Sequence, residues 1–221
     1  MKFLMFGAPM AGKGTLANIL SEKYHLPTIS MGDILRSSIA NGDEVGLLAK
    51  TYMDKGEMVP SEVICKMIKE RLAKPDVANG FILDGFPRTP DQLDTFVKEN
   101  ITDIDVVVNL EVPYAELLSR VVGRRTCAKC GYIYNTSWNL GYEVCPKCGG
   151  EWSIRSDDNE DTYKTRFNVY QSETLPILEY FSKIGKVVTV NGDKTPEQSY
   201  QNMIDALENS GIPGMKEFLK G

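Results

Sequence analysis

Residues 7–15, "GAPMAGKGT", follow directly on the apolar run "FLMF" at 3–6. A short buried strand that runs into a glycine-rich turn and then a helix gathers backbone N–H groups and a helix N-terminus around one point. Hydrogen bonding and the helix dipole both favour a phosphate there. Gly7 and Gly12 bracket the turn, and Lys13 can reach the outer phosphates of a nucleotide as a point charge. The strict motif has Ser or Thr immediately after the lysine, whereas here Gly14 intervenes and Thr15 follows. Met10 stands among the glycines. If the backbone is left-handed at that position, a methionine costs about 1–2 kcal/mol, which a folded domain can carry, so the loop is expected to survive. Downstream, Asp84 closes the apolar run in "GFILDG" (80–85), at the strand end where a magnesium-organising carboxylate belongs.

Beyond the loop, short apolar runs alternate with helical periods. The pattern predicts strands at 2–6, in "LPTIS" (26–30), and at 80–85, 105–112 and 186–192. Helices are predicted at 14–24, 31–40, 44–54, 61–73, 113–122, roughly 160–184, and 196–209. Such alternation implies an α/β chain with a five-stranded parallel sheet flanked by helices. From 123 to 158 the helical period gives way to Gly, Cys, Tyr, Trp and Asn, the mark of an inserted β-rich module. The tail "GIPGMKEFLKG" fits either a short packed turn or a frayed end.

A chain of 221 residues can bury one sizeable core carrying small insertions. Its net charge of −5 argues against a general nucleic-acid binder. The start "MKFLMFGAPM" is too short an apolar run for a signal peptide, and no stretch approaches the ~18 apolar residues of a membrane span. A cytoplasmic protein with no membrane or nucleic-acid partner is expected. Four of the five cysteines form two C-x-x-C pairs, Cys127/Cys130 and Cys145/Cys148. In a reducing compartment that spacing favours a metal over disulfides. Each pair spans one edge of a tetrahedron, so together they make a closed four-thiolate site that suits zinc as a structural staple. Iron on the same thiolates fits the spacing as well. Cys65, on an apolar helical stripe, reads as a small buried hydrophobe.

Six segments occur in the order "GAPMAGKGT", "ISMGDILR" (29–36), "DKGEMVPSEV" (54–63), "GFILDGFPRTPDQ" (80–92), "VVGRRTCAKCG" (121–131) and "IRSDDNEDTYKTR" (154–166). In these motifs, over essentially its whole length, the chain resembles the adenylate kinases of the long, zinc-containing bacterial type. The resemblance implies Mg-ATP + AMP ⇌ 2 ADP, with magnesium accompanying ATP and zinc in a lid, on a phosphate-loop core comprising 1–29, 60–122 and 159–221. Residues 30–59 would form a helical domain that binds the nucleoside monophosphate, and 123–158 the lid. It also suggests a monomer.

The same resemblance assigns residues. Gly7, Met10, Ala11, Gly12, Lys13, Gly14 and Thr15 would hold ATP, with Arg120, Arg124, Ile133, Tyr134 and Lys194 around it. AMP would lie among Met31, Arg36, Met53, Glu57, Met58, Val59, Gly85, Phe86, Pro87, Arg88 and Gln92, with Arg155 and Arg166 also in reach. Lys13, Arg88, Arg124, Arg155 and Arg166 would serve the transfer, and Asp84 would organise magnesium. Apart from Arg71, on what reads as an ordinary helix, the arginines fall in or near these motifs, and guanidinium groups suit bidentate phosphate binding.

Two positions depart from the family pattern, Met10 for glycine and Met31 for threonine. The two methionines could be neighbours that repack together. Met31 opens the alternative of a nucleoside monophosphate kinase with a shifted acceptor, although Gln92 favours adenine. A non-catalytic, zinc-containing nucleotide sensor is the alternative of a different class.

Overall fold

The computed structural model describes residues 1–138 and 141–220. Positions 139, 140 and 221, which the expected domain boundaries include, lie outside it. The first half of the chain runs β1 (Lys2–Gly7), α1 (Lys13–Tyr24), β2 (Thr28–Ser30), α2 (Met31–Asn41), α3 (Glu44–Met53), α4 (Ser61–Leu72), β3 (Phe81–Asp84), α5 (Pro90–Lys98) and β4 (Val106–Glu111). It continues with α6 (Tyr114–Gly123), β5 (Arg124–Cys127), β6 (Ile133–Asn135), β7 (Trp152–Ser153), α7 (Glu160–Val169), α8 (Leu175–Lys183), β8 (Val187–Asn191), α9 (Pro196–Glu208) and α10 (Met215–Lys220). None of the described helices is long and apolar enough to cross a membrane.

The five predicted strands form one sheet in the order β2-β3-β1-β4-β8, and every neighbouring pair is parallel. Successive side chains of β1 enter opposite faces, as the strand period requires. Phe3 and Met5 join the cluster with Leu16, Leu20 and Met203, whereas Leu4 and Phe6 join the one with Ile64, Ile68 and Phe181. Cys65 is buried in the second cluster. β1 lies centrally, with β3 on one side and β4 on the other. In such a sheet, the crevice beyond the strand ends where the strand order reverses is where ligands bind. Gly7 ends β1 with φ 134°, and a Cβ there would stand 2.6 Å from the Leu110 carbonyl oxygen. Glycine alone permits β1 and β4 to run so close at this point.

β5, β6 and β7 form a separate antiparallel sheet in the order β6-β5-β7, in the stretch where the sequence pattern suggests a β-rich module. The single helix predicted over 160–184 is interrupted by a π turn at Tyr170–Thr174. Pro176 follows at once, and a proline cannot donate to the carbonyl four residues back, so the ladder widens before it.

Met10 packs against one apolar cluster and Met31 is buried in the other. The two thus belong to different apolar clusters. The strain anticipated at Met10 is present, with φ at 70°.

The tail packs as a helix. Met215 is buried, and the Phe218 ring lies 5.4 Å from that of Phe3 and 4.6 Å from that of Tyr24. The Tyr24 hydroxyl donates to the Leu219 carbonyl at 3.4 Å. Because Phe218 is only half-buried, Phe218→Ala should lower the unfolding free energy by about 1–3 kcal/mol. Denaturant melts would measure that loss, and turnover at saturating substrate should not change.

Candidate active site

The helix that follows the glycine turn has no side-chain cap. Gly12 occupies its N-cap in a left-handed conformation, with no side-chain bond to the first turn. By contrast, Ser30, Asp43, Thr89, Asn159 and Thr195 cap the N-termini of α2, α3, α5, α7 and α9. The first N–H groups of α1 are thus left for an external acceptor. Lys13 folds back over the loop and donates to the carbonyls of Gly7 and Ala8, each at 2.8 Å.

These groups open into one continuous cavity of about 870 Å³. It runs from the ends of β1 and β3, under the cysteine module, to the pocket beside α2, α3 and α4. Among the residues singled out in the sequence, the following line it: Gly7, Met10, Gly12, Lys13, Gly14 and Thr15 at the loop; Arg120, Arg124 and Ile133 above it; Asp84, Gly85, Phe86, Pro87, Arg88 and Gln92 in the middle; Met31, Arg36, Met53, Glu57, Met58 and Val59 at the far end; and Arg155 and Arg166 across from them. Of those expected around the nucleotides, three stand outside the lining. Ala11 is buried in the core, Tyr134 packs with Tyr142 and Trp152 inside the small sheet, and Lys194 pairs with Asp193. Arg71, set aside in the sequence reading, reaches the cavity rim beside α4 but forms a bidentate pair with Asp76 at 2.9 and 2.6 Å.

Backbone clamps fix the centre. The Arg88 N–H donates to Gln92 Oε1 at 2.8 Å, and the Arg88 carbonyl accepts from the Thr174 hydroxyl, also at 2.8 Å. Gly85, at φ 81°, leaves room for the Arg88 guanidinium; a Cβ there would fall 2.3 Å from Nη2.

Three acids missed by the sequence reading hold the arginines in place. Arg124 makes a bidentate pair with Asp158, and Arg166 Nη1 lies 2.5 Å from Asp157. Asp33 accepts from Arg36 at 2.5 Å and faces Arg155 at 3.7 Å. For Asp157 and Asp158 the signal was there in "IRSDDNEDTYKTR", where four acids sit between two arginines. Even so, the cations Lys13, Arg36, Arg88, Arg124, Arg155 and Arg166 outnumber the acids Asp33, Asp84, Asp157 and Asp158. Burial is the main force pushing Lys13 down to about 8, with Arg88, Arg166 and Arg124 adding to it and Asp84 opposing. Burial likewise brings Arg155 and Arg166 to about 10 and lowers Arg88. Burial works against Asp157, yet Arg166, Arg124, Arg36 and Arg155 together hold its carboxyl below the usual range. A site of this kind is preorganised for a polyanion.

Among the described lining residues three buried side-chain atoms lack hydrogen-bond partners, Asp84 Oδ1, Arg155 Nε and Thr28 Oγ1. The first suits a hard cation and the second a phosphate oxygen. In the cysteine module the four Sγ atoms lie within 4.8 Å of one another. The pairs Cys127–Cys148 and Cys130–Cys145 are 3.5 and 3.6 Å apart. Zinc–sulfur bonds of ~2.3 Å in a tetrahedron set edges of roughly 3.8 Å, so the four thiols fit zinc.

The family model described as adenylate kinase matches residues 5–186. The chain is 43% identical to the adenylate kinase of Acetivibrio thermocellus over 96% of its own length and 99% of that protein. It is 46% identical to the one of Archaeoglobus fulgidus, covering 94% and 98%, and 45% identical to the one of Methanosarcina barkeri, covering 94% and 99%.

The depressed Lys13 value has a signed consequence. Between about 8 and its ordinary 10.5, the lysine of the free protein loses its proton while a bound phosphate favours keeping it. Calorimetry near pH 9, in buffers of differing ionisation enthalpy, should therefore show proton uptake on nucleotide binding. The uptake should fade below about pH 7 and be absent in Lys13→Met. For the same reason the folding penalty of this buried charge, present below about 8, is relieved as pH rises toward 10.5.

Proposed function

The chain belongs to the adenylate kinase family, and from that premise we propose which of its residues carry the reaction and how its parts move. The enzyme is an ATP:AMP phosphotransferase, passing a phosphoryl group between ATP and AMP to interconvert them with two ADP. The observation that supports our assignment of residues is the single cavity in which the uncapped α1 terminus and a surplus of guanidinium groups face one another.

In this reading, the loop amides of Gly7 to Thr15 and Lys13 hold the donor phosphates. Arg36 and Arg88 grip the acceptor phosphate, while Gln92, Gly85 and the walls formed by Met31, Met53 and Glu57–Val59 receive its base. Arg124, Arg155 and Arg166 exchange their carboxylate partners for oxygens of the transferred group. Exchanging one charge-assisted bond for another offsets much of the desolvation cost. An oxygen of the AMP phosphate attacks the terminal phosphorus in line, the bond to the bridging oxygen breaks, and no protein nucleophile is required. Adenylate kinases use magnesium with ATP; near Asp84 and Thr15 the ion would neutralise charge on the phosphates. Asp84 supplies the carboxylate that would organise its shell.

We assign residues 30–59 to an acceptor-binding flap, 123–158 to a lid stapled by zinc at Cys127, Cys130, Cys145 and Cys148, and 1–29, 60–122 and 159–221 to the core. Closure of both flaps keeps water from the donor until the acceptor is bound. The reduced C-x-x-C pairs support a cytoplasmic location, and a monomer is the simplest state consistent with a complete cavity in one chain. Relatives that all carry the name adenylate kinase favour neither a shifted acceptor nor a non-catalytic sensor.

A coupled assay for ADP should show turnover with AMP at least about tenfold above that with CMP or UMP; faster turnover of a pyrimidine acceptor would overturn the adenine pocket. Lys13→Met should retain its circular dichroism spectrum and lose transfer by roughly two orders of magnitude or more. Chelation under reducing conditions should release one zinc per chain, lower the thermal midpoint and raise the KM for ATP more than that for AMP. Release of iron instead would correct the metal.

A further inference from the structure

We propose that Glu22 and Lys147 form a latch that positions the lid over the donor-phosphate loop, and so set ATP affinity without touching the nucleotide. The inference rests on the reading of residues 123–158 as a lid. Lys147 lies between Cys145 and Cys148 in the second C-x-x-C, so its backbone is fixed on both sides by the thiol cluster. Its ammonium stands 5.1 Å from the centre of the Tyr132 ring, also part of the lid, which steadies the cation from that side. The same ammonium pairs with the carboxylate of Glu22 on α1, 125 residues away in sequence.

The position of Glu22 gives the contact its meaning. α1 is the helix whose first turn carries Lys13 and Thr15, and Glu22 lies on its last two turns. At the phosphate end of the same helix, the lid's Ile133 comes within 3.4 Å of where a Cβ on Gly14 would stand. The lid thus meets one helix twice, through an apolar tip beside the phosphates and through an ion pair farther along. Two separated contacts fix the tilt of a rigid flap, which one contact cannot do. Neither Glu22 nor Lys147 lines the cavity, so the pair acts through the lid. Both side chains are substantially exposed, at 63% and 42%. An exposed pair of this kind is weak and salt-sensitive, which suits a contact that must break on every turnover.

The test uses the full-length, metal-loaded protein. Glu22→Lys and Lys147→Glu are made singly and together, with Glu22→Gln and Lys147→Gln as neutral counterparts. ATP affinity is read by calorimetry without acceptor, and KM and kcat come from the coupled assay. Each single reversal should weaken ATP binding about two- to fivefold and leave the KM for AMP and kcat unchanged. The neutral variants should lose less, and the double reversal should restore wild-type affinity. The losses should vanish at about 0.5 M salt, where screening lengths fall to a few ångströms. Unchanged ATP affinity in both single reversals overturns the latch, as does a double reversal that fails to restore it. Equal losses for ATP and AMP, or a matching fall in kcat, would also overturn it, since they indicate general damage. If wild-type protein bound ATP but formed no ADP from AMP, the functional reading would fail, while the ATP titrations would still decide the latch.

Discussion

Positive charge held away from water is the constraint around which this molecule is built. Lys13, Arg88, Arg155 and Arg166 all bear burial penalties on their charged forms, and they crowd one another. The fold tolerates this because Asp157, Asp158 and Asp33 neutralise part of the cluster. The remaining excess of cations matches the site to a polyanion. The sheet serves that end directly: β1 stops at the one residue, Gly7, that lets its neighbour β4 pass at contact distance, and the chain then turns into a helix with its amide donors left free.

The two insertions have a common physical logic. Neither forms the phosphate loop, but each brings cations to it, Arg36 from α2 and Arg124 from the start of β5. A third arginine, Arg155, comes from the stretch just after β7. Drawn from separate parts of the chain, these cations can each be oriented by a carboxylate, Asp33 for Arg36 and Asp158 for Arg124. Asp157, between Arg155 and Arg166 in sequence, does the same for Arg166.

Much of this was legible in the chain itself. The strand–turn–helix at the start, the five strands, the two C-x-x-C pairs and the set of arginines follow from local pattern, because each depends on residues a few positions apart. Interactions between distant segments were not legible. The pairing of Arg124 with Asp158 spans 34 residues and the clamp from Thr174 to Arg88 spans 86, and no local period announces either. The positions of Tyr134 and Lys194 outside the cavity wall likewise reflect packing within the small sheet and a neighbouring acid. The left-handed Met10 could be anticipated as a strain, but the apolar cluster it packs against could not.

The packing of α10 also bears on how the molecule is made. Phe3 in β1 and Phe218 in α10 are separated by most of the sequence, yet their rings meet. Closing so long a loop costs entropy before the contact returns anything. Until α10 docks, the edge of Phe3 and the ring of Tyr24 have no cover, so the strand that leads into the phosphate loop is sealed on that side only by one of the most non-local contacts in the fold.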